Sequence, residues 1–332
     1  MKEFEGNLAF FVPTPNRDYV MMVVGDKWIY LDLRGDGAVD TELDVAELTK
    51  DLTIQGVSWS DNSEKLLVKA LRKNETEWLV INAKTPKESV NLTKEFAMNF
   101  SDMKCMSESC DKLVALENGN LRTVQPGGKT VSQVLADNVK KYDFVGDYIA
   151  YLKANQQLGL IYGDNVANVA EYSTDVLVNV ALSDYIGDKY LTVTDNNKMT
   201  IYRGELPSSD RTINDMEKVL EEEISFIPST LNIYGNNELI VARDGKNVAV
   251  FDAEARKLHQ YTLDTDNVFL IDGYMVGELT DGNLTVMDFD GTNKRLITKS
   301  DSAAVITRNN KWLYYLILSE NKINLTREKI IE

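Results

Sequence analysis

Residues 269–299, FLIDGYMVGELTDGNLTVMDFDGTNKRLITK, decide how this chain is built. Phe269–Ile271 and Tyr274–Thr280 have the content of short strands. Asp281-Gly282 supplies a two-residue turn, because Asp-Gly accepts the positive φ angles that a tight hairpin needs. Asn283–Phe289 follows, with Leu284, Val286 and Phe289 apolar. Asp290-Gly291 turns the chain again, and Lys294–Thr298 closes a meander of four strands. Such a meander cannot cover both of its faces, so it must stack on copies of itself.

The copies are present. Asn237–Asp264, Val57–Lys94 and Lys104–Ala136 repeat the scheme, and Leu8–Leu48 is its first instance. Asp143–Tyr172, Leu182–Leu206 and Ala303–Arg327 are weaker versions. The unit recurs about every 40 residues, the period of a four-stranded propeller blade. Eight units can be counted, or seven if one weak copy is not a true blade. The expected fold is all-β, a single β-propeller over residues 1–332. The last unit lacks a clear fourth strand, and Glu3–Asn7 can fill that place and close the propeller without a bare sheet edge. Pro207–Pro228 (PSSDRTINDMEKVLEEEISFIP) is the longest departure from the period and reads as a rim insertion. A helix could start at Asp210 or Thr212 and gather Ile213, Met216, Val219 and Leu220 on one face. Glu221-Glu222-Glu223 would then crowd the end of the helix that disfavours acids. An outer strand from about Lys218 to Phe226 is the alternative.

Composition narrows the function. The chain has 332 residues, 43% of them hydrophobic, and a formal net charge of −16. No cluster of Lys and Arg offers a track for phosphates, so nucleic acid and anionic membrane surfaces are not expected partners. No apolar run is long enough to span a bilayer. MKEFEGNLAFF lacks the pattern of a signal peptide. Cys105 and Cys110 flank the first turn of the third unit. They can close a small loop as a disulfide, which would point to an oxidising compartment, or remain as thiols at strand ends. Arg34-Gly35-Asp36 sits where each unit places a Gly/Asp turn, and turn chemistry accounts for it. Trp59 and Trp78, at strand positions, are read as packing between blades.

Catalytic motifs are missing from the sequence. His259, the one histidine, lies in LHQYTL with no nucleophile motif, so a Ser-His-Asp hydrolase is not expected. There is no phosphate loop and no dinucleotide fingerprint. Asp264, Asp266 and Asp272, and likewise Asp288 and Asp290, do not follow the spacing of a calcium loop, and structural turns explain them. No metal and no cofactor are expected. A carboxylate pair that cleaves glycosides stays open as an alternative, because 52 acidic residues nominate no pair.

Val57–Val68 (VSWSDNSEKLLV) resembles the bacterial WD40-like blade of the TolB type, with its aromatic strand, Ser-Pro-Asp-Gly-like turn and apolar strand. Phe289–Thr298 is similar to the later part of such a blade. The whole arrangement resembles the propeller that follows a PEGA domain in bacterial envelope proteins. The resemblance implies an extracytoplasmic module of the cell envelope, tethered by a segment outside this sequence. It would bind a protein or a cell-wall component as a monomer and catalyse nothing. A purely structural spacer is a further alternative. The loops between units would carry the contacts, with Phe96, Tyr142, Tyr172 and Phe226 as binding anchors.

Overall fold

A computed structural model describes residues 2–35, 38–208, 211–270, 274–299, 305–308, 312–319 and 322–329. Asp36, Asp210 and Asp272 therefore lie outside the described residues. The strands form eight four-stranded antiparallel sheets, and the chain is an eight-bladed β-propeller. Blades 1 to 7 take their strands in chain order. By its contacts the chain divides into two compact units, residues 1–135 with 300–332 and residues 136–299. Blades 1, 2, 3 and 8 belong to the first and blades 4 to 7 to the second. No helix among the described residues is long and apolar enough to cross a membrane.

The expected closure is present. Lys2–Glu5 pairs antiparallel with Lys322–Lys329 and becomes the fourth strand of blade 8. Phe4 sits opposite Ile323. Its ring joins Tyr314, Leu316, Ile323 and Leu325 in the core shared with blade 1.

A single strand shows why blades must stack. Tyr19–Val24 is an unbroken apolar run, YVMMVV. Val20, Met22 and Val24 pack into the core with blade 8. Met21 and Val23 point the other way, into the core with blade 2. Side chains alternate across a strand, so a sheet buried on both faces reads as a continuous apolar run. The strand Leu239–Asp244 is divided in the same way. Ile240 and Ala242 face blade 5, and Leu239 packs with blade 7. Each buried Val, Met, Leu or Ile among them contributes about 1.5–3 kcal/mol by leaving water.

The turns repeat at the level of atoms. Thr14, Ser60 and Ser107 hold equivalent places in blades 1, 2 and 3. Each donates its N–H to a carbonyl five residues on, at Tyr19 (2.9 Å), Lys65 (2.8 Å) and Lys112 (3.1 Å). Each hydroxyl oxygen accepts the amide N–H of that same residue, at 3.1, 2.9 and 3.0 Å. In blades 4 and 5 a two-residue turn stands in this place, Gly146-Asp147 and Ile186-Gly187.

The stretch 207–228 is an insertion only in its first half. Glu217–Glu223 is the fourth strand of blade 5, paired with Lys198–Arg203. The expected helix shrinks to one 3-10 turn, Ile213–Asp215, closed by a reciprocal cap between Thr212 and Asp215. The edge of blade 5 needed a strand, and pairing satisfies backbone groups that an acid-rich helix end would have left strained.

Candidate docking surface

The four side chains expected as anchors are buried or half-buried. Tyr142 lies within the strand Val139–Val145 rather than in a loop, and is only 5% exposed. Phe96 ends the short helix Leu92–Phe96, whose Asn91 cap accepts the amide of Lys94, and it packs on the core between blades 2 and 3. Tyr172 packs beside Val178 and Leu206, and burial pushes its hydroxyl up to about 12. Phe226 packs on the core between blades 5 and 6. The structure bonds Cys105 to Cys110, with their Cα atoms 4.8 Å apart.

The exposed apolar surface lies elsewhere, on blades 4 and 5. Tyr148 and Tyr162 stand directly opposite each other on the paired strands Tyr148–Lys153 and Gln157–Tyr162. Their rings stack with centroids 4.2 Å apart and planes 13° from parallel. Tyr162 is 47% exposed. Lys189 from blade 5 places its Nζ 5.7 Å from the centre of the Tyr148 ring, which adds a cation–π attraction. Together they wall a cleft of about 880 Å³ that Asn165, Asp188 and Leu206 also line. The charges in it are matched. Lys189 bonds Asp184 at 3.1 Å, and Arg203 Nε donates to Asp188 at 2.9 Å.

Beside the cleft stands the hairpin tip Ile186-Gly187. Both residues have positive φ, 52° and 81°. That pairing is the pattern of a type I′ turn, where Asn, Asp or Gly fits best. Ile186 is the only β-branched residue in this conformation among the described residues. The left-handed region costs such a side chain about 1–2 kcal/mol. Burial does not offset that cost, because Ile186 is 83% exposed. Val166, 56% exposed on the fourth strand of blade 4, adds to the apolar surface that these two blades present.

The eight blades have counterparts in solved structures. PorZ, an essential bacterial surface component of the type-IX secretion system of Porphyromonas gingivalis, superimposes with a TM-score of 0.54 at 10% identity over 98% of this chain. This chain spans only 45% of PorZ. The β-propeller domain of Cps50 (Swd1) from Myceliophteria thermophila gives 0.53 at 12% identity, covering 98% of this chain and 99% of that one. A chain of the yeast Nup82-Nup159-Nup116 nucleoporin complex gives 0.56 at 9% identity, covering 87% and 97%. At these identities the likeness is one of fold. No family model and no curated protein matches the sequence.

Part of this surface had a signal in the sequence. Tyr148 and Tyr162 open and close two strands joined by Ala154–Gln156, so pairing alone sets them opposite each other. Ile186 breaks turn chemistry in Tyr185-Ile186-Gly187-Asp188, which is visible once the two strands are placed. The loops between blades lie at the other end of the sheets.

Proposed function

We propose that the chain is a non-enzymatic, protein-binding propeller that acts as a monomer in a bacterial cell envelope, outside the cytoplasm. The observation that carries this reading is Ile186. A β-branched side chain held in a disfavoured backbone region and left in water contributes nothing to folding that Asn would not do better. Its use is as a contact, and the stacked Tyr148 and Tyr162 beside it are of the residue type that anchors interfaces.

Two features support the location. A disulfide between Cys105 and Cys110 persists best in an oxidising compartment. The resemblance of Val57–Val68 and of Phe289–Thr298 to TolB-type blades supports a bacterial propeller. The binding reading over a catalytic one rests on the ion pairs in the cleft. Asp184 and Asp188 are each held by a cation, which suits a structural rim better than a general acid and base.

Affinity capture from separate envelope and cytosolic fractions tests the proposal. The control is the variant Tyr162→Ser with Val166→Ser, which changes two exposed side chains and spares the core. The expected result is an envelope protein retained by the unmodified chain and lost by the variant. Equal capture by both, or capture from the cytosolic fraction alone, would contradict it.

A further inference from the structure

Asn165–Glu171 (NVANVAE) is the fourth and outermost strand of blade 4, and no strand lies beyond it in its sheet. An outer strand exposes a row of backbone N–H and C=O groups, and proteins blunt such edges with short strands or charged side chains. The other blades follow that rule. The outer strands of blades 2 and 3 are two residues long, Val90–Asn91 and Thr130–Val131. Those of blades 1, 5, 7 and 8 carry two or more charges each, in VDTE, EKVLEEE, RLITK and KEFE. That of blade 6, Lys257–Thr262, opens on a lysine, and its Gln260 side chain accepts the amide of Ser225. Blade 4 differs, because Asn165–Ala170 has neither a charge nor a proline.

The turn before this strand fixes which of its groups are free. Gly163-Asp164 is a two-residue turn, with Gly163 at a φ of 58°, and it brings Tyr162 opposite Asn165. A two-residue hairpin closes on a hydrogen-bonded pair, and such pairs alternate with open ones along an antiparallel ladder. Asn165 and Ala167 therefore bond inward, while Val166 and Asn168 turn their N–H and C=O to the outer edge. No group among the described residues bonds to these outward N–H and C=O groups. A bulge at Val169 ends the regular stretch. Asn165 also lines the cleft walled by Tyr148 and Tyr162, so the free edge continues the docking surface.

We propose, building on the reading of blades 4 and 5 as the docking surface, that the partner is held there by strand addition. An extended, basic segment of the partner pairs with Asn165–Asn168 and becomes a fifth strand of blade 4. Only an extended backbone offers donors and acceptors at the spacing that Val166 and Asn168 present. The charge of the site selects basic residues in that segment. Asp164 and Glu171 stand at the two ends of the strand, both exposed and without an ion-pair partner among the described residues. The same acids disfavour a second copy of this chain as the occupant. Two copies paired antiparallel through this edge would bring Asp164 of one close to Glu171 of the other, and like charges across a ladder are destabilising.

Panning a phage-displayed library of random peptides on the whole chain supplies the probe, and fluorescence anisotropy reads the binding of the selected peptides after synthesis. They are expected to carry Lys or Arg among alternating apolar residues. N-methylation along the peptide backbone should weaken binding about tenfold or more at every second residue and spare the residues between. Asn168→Pro removes one outward N–H at an edge position that tolerates proline, and it should lose the peptides. Asn168→Ala keeps that N–H and should retain them. A melting curve checks that the proline variant is folded, and the N-methyl scan on the unmodified chain decides the matter if it is not. The inference is overturned if no peptide is selected, if N-methylation shows no period of two, or if folded Asn168→Pro binds as the unmodified chain does. Peptides lost by Tyr162→Ser with Val166→Ser, yet without the period of two, would keep the docking surface and remove strand addition. A dimer in light scattering that Asn168→Pro dissolves would assign the edge to a second copy and overturn the inference as well.

Discussion

Tyr151 lies flat over Gly159, its partner on the neighbouring strand, and occupies the space that a side chain at 159 would need. A Cβ built on Gly159 would come within 2.7 Å of the ring at Cε1, and closer still at two other atoms. Tyr151 is itself nearly buried, so it has little room to move. Gly159→Ala is therefore expected to destabilise blade 4 by about 1–3 kcal/mol through overpacking. Chemical denaturation reads this directly, and Gly56→Ala is a useful comparison because open space surrounds Gly56.

Glu278 gives a second prediction. It is fully buried on the strand Met275–Thr280. One carboxylate oxygen accepts the amide of Asp264 at 2.7 Å, and the other is met by Lys294 as an ion pair. Lys294→Met would strand a buried charge, at a cost of about 3–5 kcal/mol. Pairing it with Glu278→Leu should recover much of that loss. Thermal melts of the single and double variants check the order.

The N-terminal strand gives a third. Removing residues 1–8 takes Phe4 from its core and leaves Lys322–Lys329 with a bare edge. Loss of a buried Phe alone costs about 3–5 kcal/mol. The melting temperature should fall by several degrees, and an unchanged melting curve would contradict the closure.

Glu221 links stability to pH. Lys198 and Lys218 both bond its carboxylate and hold its pKa down at about 2, from an ordinary 4.5. A depressed carboxylate stabilises the fold fully above its unfolded value. That contribution is lost as pH falls from 4.5 toward 2. Glu221→Gln should flatten this part of the stability curve, by a small amount because the group is exposed. Urea midpoints across that range check it.

The blades were legible because their turns carry the information. Asp281-Gly282 has φ of 50° and 72°, as a type I′ turn requires, and Asn118-Gly119 matches it with 51° and 80°. The closing strand was legible because the last blade was one strand short. Burial of individual aromatics was not. Alternation sorts Tyr142 and Tyr162 onto faces of a sheet, yet the neighbouring blade decides which face is covered. Tyr142 belongs to a strand rather than to a loop between units, because pairing with Tyr148–Lys153 extends that strand back to Val139. The fate of the Pro207–Pro228 stretch turned on an edge of blade 5 that only the assembled sheet defines.

The most direct measurement is capture by the variant Ile186→Asn, read together with its stability. Asn suits the first position of a type I′ turn, so the variant should melt higher than the unmodified chain, by the equivalent of about 1 kcal/mol. If Ile186 is a contact residue, the more stable variant will lose the envelope partner. A variant that is stabilised and still retains the partner in full would contradict the docking surface assigned to blades 4 and 5.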